Sequence, residues 1–197
     1  MRRSKPFIDD DPATRPDVEP LVLSWFPPAP TPGPKSIVDL PPDDWSMECK
    51  VDGIRVLVLP GGDVWTRHGS RITKYKGMHL VRKATDSLDT KIDAEWEFRG
   101  GIMVLHIFDL PDHPGTYDER VAEIPALIAA IGPLSSDGVS VQPIMRATGP
   151  FRDHYEAWKS AGHEGVVVKR RASLYSRMPR EKMETRDWVK YRFSWGR

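Results

Sequence analysis

A lysine that is followed within five residues by an aspartate, a glycine and an arginine stands in KVDGIR, residues 50–55. A lysine acts as a nucleophile only in its neutral form, and an unperturbed lysine is only about 0.1% neutral near pH 7.5. Desolvation and nearby cations favour the neutral form, and Arg55 is such a cation. Gly53 permits a sharp change of backbone direction and the close approach of a ligand. The segment therefore predicts an activated amine at Lys50, the alternative being an exposed hairpin that matches the pattern by chance.

Five further segments place charged or aromatic residues in short, strand-like runs. They are TRHG at 66–69, IDAE at 92–95, HIFDL at 106–110, EGVVVK at 164–169 and WVKYR at 188–192. Taken in chain order with KVDGIR, they resemble motifs I, Ia, III, IIIa, IV and V of the covalent nucleotidyltransferases, the superfamily of DNA ligases, RNA ligases and mRNA capping enzymes. Ala94 replaces the glycine that is usual in motif III. The resemblance spans residues 45–193.

The resemblance implies a specific reaction. Lys50 would attack the α-phosphate of ATP, expel pyrophosphate and become lysyl-AMP, and the AMP would pass to the 5′-phosphate at a nick in duplex DNA before the 3′-hydroxyl seals it. Glu164 would hold Mg²⁺ (or Mn²⁺), which prefers carboxylate and phosphate oxygens. Glu95 would bind the ribose hydroxyl and contribute to the metal site. Phe108 would stack on adenine, although a core aromatic is the competing interpretation because HIFDL is typical of a buried strand.

The resemblance also implies phosphate contacts from the end of the chain. Lys190 and Arg192 share a strand face, so both can point at the α-phosphate. Ligases place a nucleotide-contacting arginine six residues before the motif V lysine. Glu184 occupies that position here, so Arg186 and Lys182 are the displaced candidates. The other implied nucleotide-binding residues are Glu48, Asp52, Arg55, Arg67, Glu95 and Lys169.

Two features favour a DNA ligase that uses ATP. Glu48 shares a strand face with Lys50, and ligases use a glutamate at this position to read the adenine amino group. The segment YDER at 117–120 resembles the y-x-E-R pattern of DNA ligases, enzymes of DNA replication, repair and recombination. An RNA ligase, an mRNA capping guanylyltransferase and an inactive nucleotide- or DNA-binding module of the same fold stay open as alternatives.

Short apolar runs between turn signals predict the elements that position these residues. Strands are predicted on both sides of Gly53 and at 63–67, 91–98, 102–109, 139–145, 164–170 and 187–193; helices are predicted at 74–87, 118–131 and 150–161, with Pro125 a weak point. Strand and helix do not alternate regularly, so the fold class is α+β with mainly antiparallel sheets. The resemblance implies the ATP-grasp-like nucleotidyltransferase fold of ligases, with the sheets enclosing a nucleotide pocket.

Strand alternation leaves one conflict among the predicted site residues. Glu164 and Lys169 are five residues apart, so an ideal strand would send them to opposite faces. Either Glu164 precedes the regular strand, or Lys169 lies outside the pocket.

The chain divides by composition into two parts. Residues 1–44 are proline-rich and predict an extended arm, because proline removes amide donors and fixes φ. Residues 45–197 are then the nucleotidyltransferase domain. Residues 169–197 hold ten Lys or Arg against three acidic residues, which is typical of a solvated surface. This tail and the arm are also candidates for phosphate contacts with nicked duplex DNA.

Composition excludes several classes of protein. The single cysteine, Cys49, rules out an internal disulfide and a cysteine-cluster zinc site. No apolar run approaches the roughly 20 residues of a membrane span, and no secretory signal is visible, so a bacterial or phage-type protein of the cytoplasm is expected. No OB-fold domain is expected after motif V, although ligases usually carry one. A minimal ligase, a fragment of a longer one, and a protein that needs a separate OB-fold or DNA-binding partner subunit are the open alternatives.

Overall fold

A computed structural model of the chain describes residues 27–67, 69–72, 78–132, 139–177 and 184–193. These residues form two β-sheets with four α-helices and one 3₁₀ helix. In chain order the elements are β1 (Ala29–Pro32), a 3₁₀ helix (Lys35–Asp39), β2 (Trp45–Lys50), β3 (Ile54–Val58), β4 (Val64–Thr66), α1 (Met78–Thr85), β5 (Ile92–Arg99), β6 (Ile102–Asp109), α2 (Tyr117–Ala122), α3 (Ile124–Ile131), β7 (Val139–Pro143), α4 (Phe151–Ser160), β8 (Gly165–Arg170) and β9 (Glu184–Arg192).

The five-stranded sheet has the order β4-β3-β5-β6-β7 and is antiparallel except for the β6–β7 pair. Val56, Ala94 and Ile107 face each other across its three central strands and lie in the main apolar core, which also includes residues of α1, α2 and α3. Because side chains alternate along a strand, the opposite face carries Arg55 and Glu95, which are cross-strand partners. This sheet therefore presents a polar face on the side away from its core.

The four-stranded sheet has the order β1-β9-β8-β2. Met47 and Cys49 of β2 and Val166 of β8 are buried in a second apolar cluster, to which α4 contributes. Glu48 and Lys50 alternate with these core residues and therefore point to the other side of the sheet, as the sequence predicts. Lys50 pairs with Gly165 at the point where β8 begins.

Part of the proline-rich segment joins this sheet. Residues 29–32 form β1, which runs parallel to β9 at the sheet edge, and Thr31 Oγ1 donates a hydrogen bond of 2.8 Å to the carbonyl oxygen of Thr185. An edge position tolerates proline because one side of an edge strand needs no amide donors. Residues 1–26 lie outside the described residues, and the division of the chain at residue 44 stays a prediction.

The predicted α+β class with mostly antiparallel sheets is confirmed. The helix predicted over 118–131 is divided in two, α2 and α3, with Pro125 in the first turn of α3, where a missing amide costs nothing. The predicted helix at 150–161 is α4, and that at 74–87 is described from Met78 to Thr85. Within the described ranges, none of the helices is long and apolar enough to cross a membrane.

Candidate active site

A cleft of about 290 Å³ lies between the polar faces of the two sheets. It is bordered by residues from both sheets and from the turn between β2 and β3. The predicted site residues on its wall are Glu48, Lys50, Asp52, Arg55, Arg67, Glu95, Phe108, Glu164, Lys169, Lys190 and Arg192. The fold therefore gathers into one cavity residues that lie up to 144 positions apart in the sequence, from Glu48 to Arg192.

Lys50 is the last residue of β2, and its amine enters the cleft beside Glu164. Lys50 Nζ donates a hydrogen bond to Glu164 Oε2, and Arg192 Nε donates one of 2.7 Å to Glu164 Oε1. The lysine and glutamate side chains are 18% and 13% exposed, so the pair is accessible but largely screened from solvent. Glu164 lies just before β8 rather than within it. The parity conflict with Lys169 is thereby resolved, and both side chains reach the cleft.

Glu95 brings a second carboxyl group to the same part of the cleft. Burial raises the pKa of Glu95 to about 7, and the nearby carboxylates of Glu164 and Asp93 also raise it, against the opposing effect of Lys50 and Arg55. Near neutral pH this side chain is therefore divided between its charged and neutral forms. Glu95 and Glu164 together supply two oxygen-donor groups close to the lysine amine.

Arg55 is a fixed cation at the side of the cleft. Its Nε and Nη2 donate hydrogen bonds of 2.9 and 2.5 Å to the carboxylate of Asp93, and its Nη1 donates one of 2.6 Å to the Pro28 carbonyl oxygen. The guanidinium carbon lies 5.1 Å from the ring centroid of Phe108 and 5.3 Å from that of Trp188. Burial would lower the pKa of Arg55, but Asp93 raises it above its ordinary value. Arg55 therefore remains charged and joins β3 to the segment before β1.

A cluster of buried polar residues lies at the inner end of the cleft. Glu48 is 3% exposed, accepts a hydrogen bond of 2.5 Å from the Tyr117 hydroxyl, and forms an ion pair of 2.9 Å with Lys169 Nζ. Lys169 Nζ also lies 4.5 Å from the centroid of Phe108 and 4.2 Å from that of Trp188. Aromatic faces and a carboxylate are both favourable surroundings for a buried ammonium group.

Solved structures with a similar fold include DNA ligases and an RNA ligase. Mycobacterial DNA ligase D in complex with ATP and MES matches with a TM-score of 0.66 and 21% identity over 87% of this chain and 61% of that chain. Chlorella virus DNA ligase-adenylate matches with a TM-score of 0.64 and 17% identity over 86% and 69% of the two chains. An archaeal ATP-dependent RNA ligase matches with a TM-score of 0.53 and 18% identity over 84% and 47%.

The chain has the nucleotidyltransferase fold of ATP-dependent ligases. It spans about three fifths of the length of the mycobacterial ligase, 61% of that chain. No model of a known protein family matches the sequence, and no curated protein matches it.

Within this ligase nucleotidyltransferase fold, the remaining predicted residues lie at the rim of the cleft or beyond it. Arg67 and Lys190 are half-buried, Asp52 is exposed, and the Arg192 side chain is 66% exposed. Burial lowers the pKa of Arg67, and the neighbouring charge of Arg55 adds to this effect. Arg186 is exposed and does not line the cleft. Its fellow candidate at residue 182 and the histidine at residue 68 of the TRHG motif lie outside the described residues.

Two aromatic residues that were not predicted as site residues lie at the cleft or directly behind it. Trp188 lines it and meets Phe108 edge-on, with ring centroids 6.2 Å apart. Tyr117 touches Glu48 from α2. Both residues stand in segments that the motif comparison identified, WVKYR and YDER. An aromatic residue in an apolar run is typical of a core position. The packing of the two sheets, which no local pattern predicts, brings these two beside the polar groups.

Proposed function

We propose that this chain is the adenylylation domain of an ATP-dependent DNA ligase, which carries AMP on Lys50 Nζ. The observation that supports this proposal above all others is the position of Lys50 Nζ against Glu164, within a cleft that also holds Glu95, Lys190 and Arg192. A lysine in a purely structural ion pair would have no need of a cavity lined by further cations. An inactive module of the same fold would likewise gain nothing from this arrangement.

The first step is transfer of AMP to the lysine. The neutral amine of Lys50 attacks the α-phosphorus of ATP, a nitrogen–phosphorus bond forms, the bond to the β-phosphate breaks, and pyrophosphate leaves. The amine must lose a proton for this attack, and Glu164 Oε2 accepts its hydrogen bond. Lys190 and Arg192 border the same space and would stabilise the charge that spreads over the phosphate oxygens. Positioning and electrostatics thus supply most of the catalysis.

The carboxylates of the cleft fit a hard divalent cation. Within the described ranges, no group of three or more His, Cys, Asp or Glu side chains could hold a metal ion by itself. Mg²⁺ commonly uses only one or two carboxylates and completes its coordination with substrate phosphates and water. Glu95 and Glu164 are such a pair, so they would hold Mg²⁺ or Mn²⁺ together with ATP. The ion would neutralise negative charge on the phosphates.

The later steps need a nucleic acid with a 5′-phosphate and a 3′-hydroxyl side by side. The 5′-phosphate attacks the lysyl-AMP phosphorus and frees the amine, and the 3′-hydroxyl then attacks the activated 5′-phosphate and releases AMP. We propose nicked duplex DNA as this substrate, with an OB-fold domain or a DNA-binding partner subunit to complete the grip on the duplex. The similarity to an archaeal RNA ligase makes RNA ends the second candidate.

Labelling of the protein tests the first step. The chain is incubated with ATP or GTP labelled at the α-phosphate and with Mg²⁺, then denatured and examined for covalent label. We expect label from ATP, little from GTP, and none in Lys50→Ala. Lys91→Ala is the matched control, because Lys91 pairs with Asp112 and does not line the cleft, and it should label like the unmodified protein. Label that survives in Lys50→Ala, or none in the unmodified protein, contradicts the proposal.

The adenylylated protein then distinguishes the substrates. It is offered nicked duplexes with DNA or RNA at the break, and the appearance of AMP-capped and sealed strands is followed. Sealing of DNA in preference to RNA supports the proposed role. Preferential transfer to RNA ends would instead identify an RNA ligase.

A further inference from the structure

Glu48 is held by protein side chains on both of its carboxylate oxygens. Oε1 accepts the Tyr117 hydroxyl at 2.5 Å and lies 4.0 Å from Arg146 Nε, while Oε2 lies 2.9 Å from Lys169 Nζ. Glu48 is 3% exposed, yet it borders the cleft. A carboxylate offers about four acceptor positions, so these partners leave capacity for a further donor from a ligand. The Glu48 carboxylate is therefore fixed in orientation but can still accept a further hydrogen bond.

Tyr117 is placed for this contact by the start of α2. The Thr116 side chain and the Glu119 side chain cap the first turn reciprocally, which fixes the position of the helix that begins at Tyr117. Tyr117 is fully buried. Burial raises the pKa of its hydroxyl well above 10, and the charge of Glu48 adds to this effect. The hydroxyl therefore remains a hydrogen-bond donor throughout the physiological range.

The position of Lys169 suits contact with the Glu48 carboxylate rather than with a phosphate. It is 1% exposed, and its amine lies over the rings of Trp188 and Phe108 and 3.3 Å from the Phe108 carbonyl oxygen. These contacts surround the ammonium group, whose nearer carboxylate is that of Glu48 at 2.9 Å, while Asp109 Oδ2 lies farther away at 3.9 Å. A cation enclosed in this way can orient the carboxylate but has little freedom to follow a phosphate chain.

We propose that Tyr117 and Lys169 are positioning residues that hold the Glu48 carboxylate as an acceptor for the 6-amino group of adenine, and that they thereby set the choice of ATP. This inference depends on the proposed adenylylation function. Adenine presents an amino donor at position 6, whereas guanine presents a carbonyl acceptor there. A carboxylate that only accepts hydrogen bonds attracts the first and repels the second.

A nucleotide analogue separates this role from a structural one. Purine riboside triphosphate lacks the 6-amino group but keeps the ring and the triphosphate. The rate of covalent labelling is measured as kcat/KM for ATP and for this analogue, in the unmodified protein and in Tyr117→Phe. We expect Tyr117→Phe to lose about tenfold with ATP, the size of one hydrogen bond to a charged group, and to change little with the analogue. The preference for the amino group should therefore fall.

Two further variants keep the test decisive. Tyr155→Phe removes the hydroxyl of another buried tyrosine, one that is hydrogen-bonded to Tyr191 in the cluster around α4, and should preserve the preference. Lys169→Met should lose the preference as Tyr117→Phe does, and it replaces that variant if Tyr117→Phe does not fold. An equal loss with both nucleotides, or no loss with either, overturns the inference. Absence of label in the unmodified protein would instead overturn the proposed function.

Discussion

The Glu95 side chain is half-buried, and both carboxylates and cations lie near its carboxyl group. Burial is the first cause that raises its pKa to about 7 from an ordinary value of 4.5. Between these two values the folded protein holds a proton that the unfolded chain has released. Folding stability from Glu95 is therefore fully present below pH 4.5 and is lost as the pH rises through 7.

This loss of stability with rising pH gives a prediction for Glu95→Gln. The variant keeps the shape of the protonated side chain and cannot ionise, so its advantage over the unmodified protein should grow from pH 4.5 to 7 and then level off. Each pKa unit corresponds to about 1.4 kcal/mol, and partial exposure reduces the effect, so we expect a gain on the order of 1–3 kcal/mol at pH 8.

Urea unfolding of both proteins between pH 4.5 and pH 8 measures this gain. Glu123→Gln is the control, because Glu123 is exposed between α2 and α3 and its replacement should leave the pH profile unchanged. A constant difference between Glu95→Gln and the unmodified protein at all pH values would show that Glu95 does not titrate in this range.

At the scale of single residues, the sequence is informative where chemistry demands a particular residue type. Lys50 and Glu164 are predicted from their motifs, and the structure brings them into contact. Side chains such as Tyr117, whose part depends on long-range packing, leave little trace, because any buried aromatic would look the same in the sequence. Arg186 illustrates the opposite case: the residue type suits a phosphate contact, but the side chain is exposed away from the cleft.

At the scale of elements, the turn between β2 and β3 lies directly against β5. A Cβ atom at Gly53 would lie 2.4 Å from the Trp96 carbonyl oxygen and 3.0 Å from Glu95 Cγ. The first neighbour is backbone of a central strand and cannot move easily. The absence of a side chain at Gly53 is therefore what lets the end of β2, with Lys50, approach Glu95.

We expect Gly53→Ala to impair both folding and labelling. Relief of the clash must shift the turn or β5, at a cost of about 1–3 kcal/mol, and should reduce the labelling rate at least tenfold because Lys50 and Glu95 move apart. The thermal midpoint and the labelling rate are measured together. Gly100→Ala is the control. An alanine held at the φ of +59° found there lowers stability by about 1–2 kcal/mol, but nothing lies within 4 Å of the new Cβ atom. Equal losses of labelling in both variants would contradict the interpretation.

Local patterns predict most of the elements but not their long-range pairing. The run HIFDL and the proline at 125 are local signals, and they give β6 and the division between α2 and α3. The strand Ala29–Pro32 was missed, because proline disfavours regular pairing and its partner Glu184 lies far away in the sequence. The sheet order β1-β9-β8-β2 could not be predicted for the same reason, since packing rather than local propensity decides which strands pair.

At the scale of the whole molecule, a buried ion pair joins segments from different parts of the chain. Arg120 of α2 donates hydrogen bonds of 2.5 and 3.2 Å to the carboxylate of Asp109, at the end of β6. It also donates one of 2.8 Å to the Ser173 carbonyl oxygen, beyond β8. Neither member of the ion pair is exposed. The end of β6 in the five-stranded sheet, α2 and the segment that follows β8 of the four-stranded sheet are therefore held together at one guanidinium group.

Removal of this guanidinium group should weaken the entire fold. Arg120→Ala leaves the buried Asp109 carboxylate with only the Leu110 amide and, at 3.9 Å, the Lys169 amine as partners, and we expect it to lower the free energy of unfolding by about 3–5 kcal/mol. Arg152→Ala is the comparison, because Arg152 and Asp39 form an ion pair whose side chains are 62% and 59% exposed. That pair is hydrated in both states, so its loss should change stability by less than about 1 kcal/mol. Urea midpoints at one pH measure both variants, and similar midpoints would contradict the stabilising role of the buried ion pair between Arg120 and Asp109.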